Sequence, residues 1–243
     1  MSSVDIRGMF AGLPGAHGII EAALNGQGLV MTDDSARPSS AAVLAGDFLF
    51  FGGEPSEELV RRALNAENHA WIVQGSSAFL ALVQAQRSGT WSERIAFDPH
   101  RQPEDAHLTA LLANLPQGVT LVPIGAAEAA FCRKTPWAAD FVNQFTEDEY
   151  ARSGLGVLVC ADGAFVSGAS SYAAYPGGIE VEVDTAPAHR GHGYATLAAA
   201  KLILTAHQQG RIATWDAANE TSAHIAQKLG YRVTCAYQVF TTA

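Results

Sequence analysis

"HRGHGYATLAAAKLI", residues 189–203, sets Gly191 and Gly193 directly ahead of a run rich in alanine and leucine. Glycine lets the backbone turn tightly with no side chain in the way. The N–H groups of such a turn, and of the helix it opens, point outward unsatisfied, and the helix dipole favours an anion in front of them. Arg190 adds a positive charge at the rim. The Lys-Ser/Thr ending that a P-loop uses for a γ-phosphate and Mg²⁺ is missing, so a nucleoside triphosphatase is not indicated. Gly191-x-Gly193 continues with Tyr194, Ala195 and Thr196 instead of completing G-x-G-x-x-G, and it lies late in the chain. A pyrophosphate therefore fits better than a dinucleotide.

The flanks read as a mixed α/β unit. Helical pieces are expected around 126–132, 136–145 and 146–152. Strands 155–161 and 164–175 follow, joined at Asp162-Gly163, a strong hairpin signal. "GIEVEVDT" (178–185) alternates cleanly, and the helix opened by the glycine loop ends at Gly210. Strand 211–216, a capped helix at 219–229 and strand 231–240 close the chain.

The first half repeats this order. Short helices within 6–24 precede strands 28–32, 41–45 and 47–52, helix 56–66, strand 69–74, helix 76–87 and strand 90–97. Helix 105–115 and strand 119–124 follow. The run 41–97 mirrors 164–240, and a duplicated fold and a chance likeness of ordinary α/β pieces both account for that. Where the second half has "HRGHGYAT" the first has "GGEPSEEL", whose Glu54, Glu57 and Glu58 would repel an anion. The expected division is an amino-terminal α/β domain at 1–124 and a second domain at 125–243.

Composition sets the remaining bounds. The 243 residues are 48% apolar and 16% charged, which suits a folded protein with an extensive core. Net charge is −9 without a Lys/Arg cluster, so nucleic acid and anionic membranes are not expected partners. No apolar stretch is long enough to span a bilayer, and residues 1–30 carry no secretory pattern, so the expected location is cytoplasmic. Cys132, Cys160 and Cys235 are widely spaced, and the histidines show no ligand spacing; neither a disulfide framework nor a metal site is expected.

Arg190-Gly-His-Gly193-Tyr-Ala195 resembles the R/Q-x-x-G-x-G/A signature of the GNAT acyltransferases, and "WDAANETSAHIAQKLGY" resembles their N-x-x-A/S…L-G-F/Y closing segment. Together with "SSY" and "EVEVDT" the pattern is similar to a bacterial GNAT subgroup that includes zwittermicin-type self-resistance enzymes, over roughly residues 136 to 240. The resemblance implies a GNAT fold in the second domain and acetyl-CoA as co-substrate with no metal. It also implies transfer of an acetyl or short acyl group to a primary amine. Arg190, Gly191, His192, Gly193, Tyr194 and Ala195 would hold the pyrophosphate. The backbone of Val183, Asp184 and Thr185 would run beside the pantetheine arm, and Asn219 would cap its helix and bond that arm.

The catalytic candidates start from alternation. Glu180, Glu182 and Asp184 share one face of a strand that the resemblance makes central, and unpaired carboxylates there would be very costly. They suit an amine site, with Glu182 as general base and Glu180 beside it. Partly open packing or basic partners would account for them equally. Ser222 lies on the inward helix face with Ala226 and Leu229 and needs a partner, its own helix carbonyl or the cofactor. Ala226 stands where many GNAT enzymes have a tyrosine acid, so Ser222, Tyr172, Tyr231 or water would substitute. The consecutive hydroxyls of Ser170, Ser171 and Tyr172 fit a polar pocket or a solvent-facing strand. The missing tyrosine also fits an acyl-CoA-binding regulatory module with little turnover, and a protein binding some other phosphate ligand is the third reading. The oligomeric state is open, a homodimer included.

Overall fold

The computed structural model describes residues 5–67 and 69–243. In chain order it contains α1 (His17–Leu24), β1 (Leu29–Thr32), β2 (Ser40–Ala45), β3 (Phe48–Gly53), α2 (Glu57–Leu64), β4 (Ile72–Gln74), α3 (Ser77–Gln86) and β5 (Gly89–Phe97). There follow α4 (Asp105–Leu112), β6 (Val119–Pro123), α5 (Ala126–Lys134), α6 (Glu147–Ser153), β7 (Gly156–Ala161), β8 (Ala164–Tyr175) and β9 (Gly178–Thr185). The last elements are α7 (Tyr194–Gln208), β10 (Ile212–Thr214), β11 (Asp216–Ala217), α8 (Glu220–Leu229) and β12 (Val233–Thr242). Within the expected helix at 136–145 only a short 3-10 segment forms, Pro136–Phe141. Among the described residues no helix is long and apolar enough to cross a membrane.

The chain forms two compact units. One runs to Arg94 and takes in Ala236–Ala243; the other is Ile95–Cys235. The division thus differs from the expected 124/125 boundary, for two reasons of pairing. Strand β6 completes the second unit's sheet by pairing antiparallel with β7, Val119 opposite Ala161. At the other end Phe240 and Thr241 pair with Val73 and Ile72 of β4, so the chain terminus belongs to the first unit.

In the second unit β6, β7, β8 and β9 form an antiparallel meander, and β10 lies parallel to β9. Parallel neighbours need a crossover, and α7 supplies it. Asp162 and Gly163 both take positive φ, the backbone a tight β7–β8 turn requires. Leu158, Ile179, Leu202, Ile203 and Phe141 fill the core without measurable exposure beyond 1%. The hydroxyls of Ser170 and Ser171 do not meet solvent. Both are fully buried, Ser170 bonded to Tyr150, Phe141 O and Leu155 O, and Ser171 to Leu155 N and O.

The first unit repeats the connectivity. β1, β2 and β3 are antiparallel neighbours, and β3 continues through α2 into a parallel β4. Its core gathers Leu49, Phe51, Leu59, Trp71 and Phe79, with Phe240 from the chain's end.

One packing contact bears on the site. Gly168 of β8 lies opposite Asp184, and a Cβ there would stand 2.6 Å from Cε2 of Phe141 and 2.8 Å from Cδ2 of Leu158. Both rings and branches are buried and have little room to move. Gly168→Ala is expected to destabilise the protein by about 1–3 kcal/mol. A urea melt reads this directly, and an unchanged midpoint would mean that Phe141 yields freely.

Candidate active site

Two helices that follow parallel-strand crossings begin differently. In the first unit Ser56 caps α2, accepting from Leu59 N, and Glu57 and Glu58 occupy its first turn. A Cβ on Gly52 would meet Met9 O at 2.6 Å, so the strand end ahead of this loop is packed by the chain itself. Helix α7 starts instead on Gly193 at φ 79, with no side-chain cap and no acid in its first turn. Gly191 also has positive φ, and a Cβ on either glycine would have nothing within 4 Å. The N–H groups of Gly191, His192, Gly193, Tyr194 and Ala195 make no backbone hydrogen bond among the described residues. Five donors and a helix dipole therefore face open space.

That space is a cleft of about 500 Å³, within the usual range for small-molecule sites. It brings together every residue expected to hold a cofactor: Val183, Asp184 and Thr185, the loop from Arg190 to Ala195, Asn219 and Ser222. His189, Thr196, Thr221, His224, Ile225 and Lys228 also line it and were missed from the sequence. His224, Ile225 and Lys228 extend along α8 from Asn219, and that helical spacing is the signal that would have found them. Arg190, Lys228 and three histidines face a single acid, Asp184. The lining suits an anion.

Several polar groups are already engaged. Arg190 is not simply a charge at the rim: its Nε donates to Thr185 O at 3.2 Å, and an Nη lies 3.5 Å from an Asp184 carboxylate oxygen. The same oxygen accepts from Thr185 N at 2.6 Å, so this amide is taken within the strand end. The His192 ring stacks on Tyr194, with centroids 5.4 Å apart. Asn219 accepts from Ser222 N at 2.9 Å and is an exposed N-cap.

The three acids of β9 separate by depth. β10 pairs with β9 only from Gly178 to Glu180, so the edge beyond Glu180 opens toward the cleft. Glu180 is 4% exposed, lies opposite Thr214, and accepts from that hydroxyl. Glu182 is half-buried, and Asp184 reaches the cleft. Their shared face looks toward the Pro136–Phe141 segment. Ser170, directly opposite Glu182, bonds Phe141 O, and Gly168, opposite Asp184, faces the Phe141 ring. Neither Glu180 nor Glu182 lines the cleft itself.

The proton-donor candidates also separate. Tyr231 donates to Ala213 O at 2.7 Å, and burial, with Glu180 nearby, pushes its phenol well above the ordinary range. It packs and does not reach the cleft. Tyr172 is buried at the β8 irregularity between Ser171 and Ala173. Ser222 alone of the three lines the cleft, and its oxygen accepts a bond from outside its own helix. The indole N–H of Trp215 donates to its Oγ at 3.1 Å.

Known proteins match most of the chain. A family model described as GNAT acetyltransferase matches residues 9–240. A GCN5-related N-acetyltransferase-like protein from Streptococcus suis is 32% identical, with 98% of this chain and 97% of that one covered at a TM-score of 0.87. A GCN5-related N-acetyltransferase from Kribbella flavida shares the fold at 20% identity, with 96% of each chain covered and a TM-score of 0.62. A tandem GNAT protein from the clavulanic acid biosynthesis pathway does so at 15% identity, covering 90% of this chain and 83% of that one, TM-score 0.54. No curated protein matches the chain. On the family match and the Streptococcus suis relative, the chain belongs to the GNAT acetyltransferase family.

Proposed function

We propose that this protein transfers an acetyl or other short acyl group from its CoA thioester to the primary amine of a small molecule or peptide. The observation that carries the reading is the contrast between the two helix starts. One is capped and acidic, whereas α7 opens unsatisfied donors into a cleft beside the free edge of β9. The donor set fits acetyl-CoA: the 190–195 loop for pyrophosphate, Asn219 for the arm, and the β9 edge from Val183 to Thr185 for the thioester end. When bound, CoA supplies an acyl group already activated for attack. Glu182 takes the ammonium proton, directly or through water, and leaves the amine free to attack. Glu182 then meets the amine from the face of β9 that looks toward the Pro136–Phe141 segment.

The first unit is proposed as a degenerate copy of the same fold, since its strands and crossover follow the same order and its loop is closed by acids and packing. The activity is placed in the cytoplasm, where CoA thioesters are supplied. Polyamines, amino acids, aminated antibiotics and peptide N-termini all present the required amine. Ala226, fully buried and lacking a hydroxyl, favours one other reading, an acyl-CoA-binding module with little turnover.

Thermal denaturation with acetyl-CoA, CoA, NAD and ADP tests the proposal. At about 100 times its dissociation constant a ligand stabilises by about 2.7 kcal/mol, several degrees for a chain of this size. Acetyl-CoA and CoA are expected to raise the melting temperature, NAD and ADP much less. Stabilisation by NAD instead would point to a dinucleotide site. A panel of amines then separates turnover from binding alone.

A further inference from the structure

We infer that Trp215 is a positioning residue: it holds the Ser222 hydroxyl so that its hydrogen points into the cleft, toward the sulfur of the departing CoA. The inference rests on the acyl-transfer reading above. Trp215 lies between β10 and β11, is 3% exposed, and packs beside the Tyr231 ring at 5.8 Å. An indole N–H can only donate, so the 3.1 Å bond makes Ser222 Oγ the acceptor. The backbone of Ser222 is fixed as well, by Asn219 Oδ1 on its N–H. A serine within a helix commonly turns its hydroxyl back onto a carbonyl of the preceding turn. Ser222, in the first turn of α8, has no such turn behind it; its hydroxyl hydrogen has no acceptor among the described residues, and the residue lines the cleft. One turn further on, Ala226 offers no competing donor.

The chemistry follows from relative acidity. A serine hydroxyl is a far weaker acid than a thiol, whose ordinary pKa is about 8.5. Ser222 therefore keeps its proton. As the new C–N bond forms, the C–S bond breaks and its electron pair goes to sulfur. The Ser222 O–H hydrogen-bonds the thiolate; the nitrogen, positively charged after attack, gives its second proton to water, and the thiolate takes one back from water on release. Donation by Trp215 to the same oxygen polarises the hydroxyl and holds it in this rotamer.

The test compares the affinity of CoA with that of desulfo-CoA, which lacks the sulfur, by calorimetry. At about pH 9, above the ordinary thiol pKa, the wild type is expected to bind CoA about tenfold tighter, the worth of one hydrogen bond to a charged group. Trp215→Phe keeps an aromatic ring and loses the N–H; Ser222→Ala loses the hydroxyl. Both should bind desulfo-CoA as the wild type does and lose the preference for CoA, while Ser222→Thr keeps it. In turnover, Trp215→Phe should lower kcat with KM for acetyl-CoA unchanged, and should cost nothing further in a Ser222→Ala background. A wild type without preference for CoA, or a Trp215→Phe that retains it, overturns the inference. Failure of the wild type to bind even desulfo-CoA overturns the acyl-CoA reading itself, a different result. If Trp215→Phe does not fold, the indole N–H resonance of Trp215 replaces it: a shift between wild type and Ser222→Ala is expected, and no shift overturns the bond.

Discussion

Gly193→Glu is expected to abolish stabilisation by both acetyl-CoA and CoA. The backbone of Gly193 sits at φ 79 immediately before α7, in the left-handed region where a Cβ costs about 1–2 kcal/mol. Sterics beyond that are absent, because a Cβ there meets nothing within 4 Å. The larger effect is electrostatic. The glutamate side chain would enter the space that the free N–H groups of residues 191–195 face, and it would satisfy them itself while repelling a diphosphate. Losing two charge-assisted hydrogen bonds, at about 1.5–3 kcal/mol each, lowers affinity by at least about a hundredfold. Gly193→Asn separates charge from strain, since asparagine tolerates positive φ and carries no charge. It is expected to keep a measurable thermal shift where the glutamate variant has none. Equal binding by wild type and Gly193→Glu would mean that the loop does not hold the pyrophosphate.

The glycine loop was legible because its signal is local. Two glycines, a following helical run and the absence of a P-loop lysine all lie within fifteen residues of sequence, and backbone chemistry alone gives them meaning. The depth of the three acids on β9 was not. Alternation places Glu180, Glu182 and Asp184 on one face, but their burial depends on β10 ending at Thr214, a fact about another segment. The same holds for the unit boundary. β5 and β12 read plainly as strands, yet which strand each one pairs with is a long-range choice that periodicity does not encode. Ser170 and Ser171 misled for a related reason: a hydroxyl looks available until the carbonyl of Leu155, distant in sequence, is seen beside it. Trp215 carries no signal in the sequence, because a tryptophan there gives no sign of where its one N–H will point.

Glu182→Gln is expected to lower kcat about 10²–10⁴-fold, the usual worth of a positioned base, with KM for acetyl-CoA unchanged. The amide keeps the volume and the hydrogen-bonding reach of the carboxylate and removes only its ability to take a proton. Glu180 provides the control two residues away on the same face. Its carboxylate is 4% exposed and accepts from Thr214, so it is placed to hold β10 against β9 and is closed off from an amine. Glu180→Gln puts an amide donor into the buried pair with Thr214 in place of an accepting oxygen and is expected to cost about 1–3 kcal/mol of stability while kcat changes little. The two variants therefore separate chemistry from architecture: one lowers turnover at constant melting temperature, the other lowers melting temperature at constant turnover. The reverse pattern would move the base to Glu180 and require the buried pair with Thr214 to open during each turnover. Loss of turnover in both would mean that the carboxylates act as one coupled unit, and double substitution would then cost little more than either change alone.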